Sequence, residues 1–427
     1  MINFSFKKII NSLLLFALVL TFIYSFVLSY KITQESIGLD FAIRLNGLKR
    51  IINNENGYYI LQKNDTILTR LTSTPFLTRL HQPLLKISYC DSRLIFWVIQ
   101  NILFVSALIL LFFSFKEKLK KKLTYTMLTG ILFSLSNNWY MHIDRGQVYI
   151  LFVFLSCFIF FILKKSKKIN IILPLLLFFF LVRPISFVYA FLFRKKSSFS
   201  ISLIIICFAV LIINISTNEK YSQWMYYFKS MSMYAKEVPN SLLKKKFAKI
   251  NDAVYLDSSD CSKGLKIHEN YNSGCIQSVQ LYLGKLKIII SQSSFFTCAI
   301  IILWILSLIA ESKIIKENDV NRKFLLVYIL YLITELLIPA PRYGYYIIEW
   351  LPIGYIIFAS GRKYQMVLFG FGIGLNNYFI ASHFTHYLHM VYICSSCLMA
   401  TSAVFYLSDF EYPYILRKNH SKIFNKH

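Results

Sequence analysis

The feature that most constrains this chain is an alternation of long apolar runs with short clusters of lysine and arginine. Residues 9–30 are apolar behind Lys7 and Lys8. Residues 93–115 form a second run, closed by Lys116-Glu117-Lys118-Leu119-Lys120-Lys121-Lys122. A run of roughly 20 apolar residues matches the hydrocarbon thickness of a bilayer. In that medium an isolated segment satisfies its backbone only as a helix. The chain of 427 residues is 56% hydrophobic, which leaves too little polar surface for a soluble fold of this length. Its net charge of +27 lies mostly in the clusters between the apolar runs. That arrangement suits cytoplasmic loops facing anionic headgroups and excludes a nucleic-acid surface.

The basic clusters set the expected topology. After the first two runs, spans are expected at 123–138 and at 147–163, the latter closed by Lys164-Lys165-Ser166-Lys167-Lys168. Residues 169–193 have basic groups at both ends, so they must enter and leave on one side, as two short helices broken at Arg183-Pro184. Further spans are expected at 200–217, 286–310, 324–338, 347–360, 364–380 and 388–407. The reading is an all-α polytopic membrane protein of about twelve segments, one membrane domain over residues 1–427, with both termini cytoplasmic. Its first segment is too long, and lacks the small-residue cleavage site, to be a removable signal. Two long loops, 31–92 and 218–285, then lie outside, where length exempts their lysines and arginines from the inside-positive rule. Tyr221-Ser222-Gln223-Trp224-Met225-Tyr226-Tyr227 has the mixed character of a segment lying along the membrane surface. Among the cysteines, Cys157, Cys207, Cys298, Cys394 and Cys397 fall inside spans and read as small apolar filler. Cys261 and Cys275 share the second outer loop and can pair in an oxidising compartment, which leaves Cys90 the odd thiol on that side.

Chemistry is expected where polar groups meet the outer ends of the spans, because ionisable side chains at membrane depth are costly. Asp40, in Gly38-Leu39-Asp40-Phe41, follows the first span and is either a solvated loop carboxylate or a functional one. Tyr59 follows in Asn56-Gly57-Tyr58-Tyr59, and His81 and Gln82 in His81-Gln82-Pro83-Leu84. Asp144, Arg145 and Gln147 occupy a short outer turn between the third and fourth spans, with Gly146 allowing the turn and Gln147 facing inward. That turn reads equally as a helix cap with a surface ion pair. Arg183 beside Pro184 has the planar fork that holds a phosphate by two hydrogen bonds, or it snorkels to the headgroups. Arg342, Tyr343 and Tyr345 form a late outer turn, an interfacial aromatic belt or a sugar-stacking surface. His383, His386 and His389 have helical spacing but no accompanying carboxylate, and no carboxylate cluster suits a divalent cation, so no metal is expected.

The order of these motifs resembles one family. Asp-Phe after the first span, Gly-Tyr some twenty residues on, Pro-Leu before the second span, and Gly-Gln opening the fourth recur in it. So do a basic residue before Pro in a broken hairpin and a late turn leading to Trp-Leu-Pro. In these features the chain is similar to the membrane mannosyltransferases that use polyprenyl-phosphate-mannose, such as those extending phosphatidylinositol mannosides. Asp40-Phe41 and Arg145-Gly146-Gln147-Val148-Tyr149 carry the resemblance best. It implies the GT-C fold, a polyprenyl-phosphate-sugar donor, a lipid- or glycan-linked acceptor, no further cofactor, and a site at the outer face of a bacterial cytoplasmic membrane. It also implies Asp40 as the base for the acceptor hydroxyl, with Arg183 and Arg342 neutralising the lipid phosphate. Two positions depart from the family: His81-Gln82-Pro83-Leu84 stands for a common Tyr-Pro-Pro-Leu, and Tyr345 stands where many members have His. An O-antigen-type polymerase shares the span count and outer-loop arginines. A glycolipid flippase or other transporter requires paired broken helices in two similar halves, and only one such pair is present.

Overall fold

The computed structural model describes residues 2–61, 67–71, 73–165, 171–193, 197–241, 275–276, 319–337, 342–383 and 388–408. These residues are overwhelmingly helical. Helix α1 (Ile2–Glu35) is followed by α2 (Leu39–Ile52), a short antiparallel pair β1 (Tyr59–Leu61) and β2 (Ile67–Arg70), and helix α3 (Pro75–Arg79). A 3₁₀ turn, Gln82–Lys86, leads into α4 (Tyr89–Ser114). Next come α5 (Leu119–Ser134), α6 (Asn137–Arg145), α7 (Tyr149–Lys165), α8 (Ile172–Val182), a 3₁₀ helix Pro184–Phe193, α9 (Ser197–Ile215) and α10 (Asn218–Ser241). The C-terminal third supplies helices Val320–Leu337, Leu351–Ser360, Lys363–Leu375, Tyr378–His383 and Leu388–Ser408, with a 3₁₀ helix Gly344–Trp350. Residues Cys275–Ile276 pair antiparallel with Arg342–Tyr343.

Two of these helices are long and apolar enough to cross a membrane, Tyr89–Ser114 and Met390–Ser408. Two bent pairs raise the count to four if each is one span: α6 with α7, bent by 117°, and α9 with the start of α10, bent by 112°. Many expected segments fall on helices shorter than a full span. The one expected at 286–310 lies outside the described residues, as do Cys261 and the side chains of Cys275 and the three histidines. Large apolar side chains stand exposed along α4 (Ile102, Ile109, Phe113), α9 (Ile205, Ile212, Ile213) and the last helix (Met390, Val404). Between the helices the core is aromatic: Phe179, Tyr189, Phe324, Tyr328 and Tyr331 form one continuous cluster.

Two expectations are corrected. Residues 137–147 are mostly helix rather than a short outer turn. Ser136 caps α6 by accepting the Trp139 N–H at 3.2 Å, and eight of its nine residues are buried, including Asn137, Asn138 and His142. Polar residues that read as loop are paired inside: Asn137 donates to the Tyr392 hydroxyl at 2.8 Å and Asn138 to the Gly344 carbonyl at 2.7 Å. Cys90, read as an odd thiol, is disulfide-bonded.

A break is present at Arg183-Pro184, where α8 ends at Val182 and a 3₁₀ helix begins at Pro184. Proline cannot donate a backbone hydrogen bond, so the last carbonyls of α8 need another donor. Thr74 supplies it: its hydroxyl lies 3.0 Å from the Leu181 carbonyl and 3.2 Å from that of Val182. The same oxygen accepts the Leu77 N–H and caps α3, where Pro75 occupies the first turn. One threonine thus pins the loop after α2 to the broken hairpin.

Candidate functional site

The site is built where α2 meets α6. Gly38 has φ of +62°, a left-handed conformation that glycine adopts without steric cost, and it reverses the chain between α1 and α2. Gly146 has φ of +66° and makes the sharp bend between α6 and α7. Both turns are packed tight. A Cβ on Gly38 would lie 2.4 Å from Nε of Arg93, and one on Gly146 2.6 Å from Cβ of Phe41. Arg93 is buried between them and donates to the Ile143 and Asp144 carbonyls at the end of α6. Ser36 donates to the same Asp144 carbonyl at 2.8 Å.

This packing brings together residues 105 apart in sequence. Arg145 grips Asp40 with both arms of its guanidinium, Nε to Oδ2 at 2.6 Å and Nη2 to Oδ1 at 3.0 Å. Gln147 donates its side-chain amide to Oδ2 as well. Two donors occupy Oδ2 and one occupies Oδ1, so among the described residues one lone pair of Oδ1 remains open. The carboxylate is 21% exposed, half-buried but reachable.

Gln147 joins it to a small cleft, open to solvent, lined by Arg44, Ser73, Thr74, Gln147, Tyr149 and Arg183, among others. Arg183 lies over the rings of Tyr149 and Phe152, 5.5 and 5.0 Å from their centroids. Its guanidinium forms a two-armed ion pair with Glu335 of helix Val320–Leu337, and that carboxylate is only 3% exposed. Arg44, one helical turn beyond Asp40, is 4% exposed, with Nη1 3.3 Å from the Gly146 carbonyl. Burial pulls its guanidinium down to about 10 while the Asp40 charge opposes the drop, so it stays protonated at neutral pH.

The other expected residues divide. Tyr345 is buried and stacks on Tyr149 at 5.5 Å, which joins the late turn to the cleft wall. Asp144 is buried, its carbonyl used by Ser36 and Arg93. His81 is buried against Phe41 and Phe96 with Nδ1 3.0 Å from the Leu77 carbonyl; burial, then the Arg44 charge, hold it down to about 3. It is a neutral packing residue at working pH. Gln82 is exposed at the start of its 3₁₀ turn. The side chains of Tyr59, Arg342 and Tyr343 lie outside the described residues.

Glu335 and Arg44 are absent from the sequence expectations. Glu335 had a signal, a carboxylate inside the expected span 324–338. Arg44 had a weaker one, its four-residue spacing from Asp40, which puts both on one helix face. Among the described residues no three side chains of His, Cys, Asp or Glu gather closely enough to hold a metal ion. Compared with known proteins, the chain matches no family model, no curated protein and no solved structure.

Proposed function

We propose that this protein is a membrane glycosyltransferase that moves a hexose, mannose by the motif resemblance, from a polyprenyl-phosphate-sugar to an acceptor hydroxyl at the outer face of the membrane. The observation that carries the reading is the convergence of Asp40 with Arg145 and Gln147. These are the motif pieces that resemble the family best, and they form one hydrogen-bonded unit that adjoins a cationic cleft. A bidentate guanidinium and an amide fix the carboxylate plane, which is what a proton acceptor needs when the reacting hydroxyl must be met at one angle.

The reaction requires little else. As the acceptor oxygen attacks the anomeric carbon, its proton passes to the open lone pair of Asp40 Oδ1. The bond from that carbon to the phosphate oxygen breaks, and the polyprenyl phosphate leaves with the electron pair. A single displacement inverts the anomeric centre. Phosphate is a good leaving group, so no protein acid is needed to expel it; cationic groups that stabilise its charge are. The exposed apolar faces of α4, α9 and the last helix support the membrane setting. The Cys90 disulfide supports an oxidising compartment for the end of α4 that borders the site, and with it an extracytoplasmic active site. The Arg183–Glu335 pair departs from the expectation that Arg183 grips the phosphate, since its fork is already filled.

The test is transfer by Asp40→Asn in membranes supplied with a polyprenyl-phosphate-sugar. Loss of about 10²- to 10⁴-fold at normal protein level supports the reading. Undiminished transfer removes it. Movement of intact glycolipid by purified protein, with no new glycosidic bond, would support a transporter instead.

A further inference from the structure

The cleft holds a charge that its own residues leave unbalanced. Two described arginines, Arg44 and Arg183, line the cleft, and Arg145 and Arg93 stand beside it; Arg93 also has unpartnered buried nitrogens but does not line the cleft. Arg145 is matched by Asp40, and Arg183 by Glu335. Arg44 has no carboxylate at ion-pair distance among the described residues, and its Nε is buried with no hydrogen-bond partner. Its single hydrogen bond among those residues is the 3.3 Å contact to the Gly146 carbonyl, at the long end of the range. A buried guanidinium with an unfilled donor is costly, and at the wall of a cleft a bound anion is one way to complete it. Asp40 lies one helical turn away, too far to pair but near enough to help keep Arg44 charged.

We infer that Arg44 is the anion-binding residue of this cleft, its under-satisfied guanidinium taking one phosphate oxyanion beside Gln147 and Tyr149. That the phosphate is the head of a lipid rests on the transferase reading; that the cleft takes a phosphate does not. The placement is chemically coherent with that reading. A phosphate at Arg44 sits on the helix that carries Asp40, so one rigid turn sets the distance between base and leaving group. Arg183 is then a wall of the site, and its fixed pair with Glu335 holds the cleft open at the helix break.

The experiment uses the full chain in nanodiscs and measures binding of farnesyl monophosphate, farnesol and inorganic phosphate by intrinsic tryptophan fluorescence. Wild-type protein is expected to prefer farnesyl monophosphate over farnesol. Arg44→Met should weaken the phosphate ligand by about 10- to 100-fold and leave farnesol unchanged. Arg44→Lys, which keeps the charge but loses the planar fork, should fall between. Displacement of farnesyl monophosphate by inorganic phosphate at similar concentration assigns a free phosphate; displacement only by the prenylated compound assigns a lipid headgroup. Either agrees with the inference. Equal binding of farnesol and farnesyl monophosphate by the wild type would overturn it, as would unchanged phosphate affinity in Arg44→Met. Should Arg44→Met fail to fold, phosphate affinity in Arg44→Lys equal to wild type would overturn it instead. Asp40→Asn is expected to bind farnesyl monophosphate at least as tightly as wild type. Retained binding there with undiminished transfer would sink the catalytic reading while leaving the anion site in place.

Discussion

Two arginine–carboxylate pairs lie along the same cleft and differ in almost everything except their chemistry. Asp40 and Arg145 adjoin it through Gln147, both partly exposed, with a third donor from Gln147 and one carboxylate lone pair open. In the second pair the Glu335 carboxylate is nearly sealed and the Arg183 guanidinium is laid over two aromatic rings. The first pair positions a group that can still react. The second is closed on itself and bridges the break at Pro184 to helix Val320–Leu337. The lesson is that an arginine near a helix break is not available to substrate merely because it is near; what its partner leaves open decides its role.

The sharpest way to break this contrast is to remove each carboxylate and compare the damage. Glu335→Ala leaves a buried guanidinium uncompensated and should destabilise the protein by about 3–5 kcal/mol, read as a lower unfolding midpoint in detergent. The paired change Arg183→Met with Glu335→Leu should recover most of that loss. If Glu335→Ala melted like wild type, the second pair would not be structural.

The turn that brings the first pair together is the next target. Gly146→Ala puts a Cβ against Phe41 and forces a left-handed conformation on a side chain, at about 1–3 kcal/mol. Because the bend aims Arg145 at Asp40, activity should fall further than stability, measured as transfer at matched folded protein. A variant as active as wild type would show that the bend does not set the pair.

The smallest effect concerns the buried imidazole behind the first pair. His81 holds at about 3 in the folded chain against an ordinary 6.5. Between those values the unfolded chain binds more protons, so stability is full above about pH 6.5 and declines as pH falls through the window. At pH 5 the loss is about 2 kcal/mol. His81→Phe, which suits the aromatic surroundings of Phe41 and Phe96, should flatten the decline in unfolding midpoint between pH 7 and pH 5. An unchanged slope would mean that other groups carry it.

Some of this architecture was legible because it is written locally. Pro184 announces its helix break, and glycine at 38 and 146 announces the two turns. Asp40, Arg145 and Gln147 are expected on one side from the inside-positive reading of the basic clusters, and hydrogen bonds do bring the three together. Helix α6 was not legible: Asn137, Asn138 and Asp144 read as loop residues until distant partners such as Tyr392 and Gly344 satisfy them. The same holds for the cations. Nothing local says that Glu335 fills the fork of Arg183, or that Arg44 meets only the Gly146 carbonyl and keeps an unpartnered Nε, since both facts depend on segments more than a hundred residues apart.

The central claim is that the Asp40 carboxylate reacts while that of Glu335 only holds. Sugar transfer by Asp40→Asn and Glu335→Gln, each normalised to folded protein in the same membranes, tests it most directly. The account predicts that Asp40→Asn is correctly folded and at least 100-fold slower, while folded Glu335→Gln keeps most of its transfer. Full transfer by Asp40→Asn would contradict it.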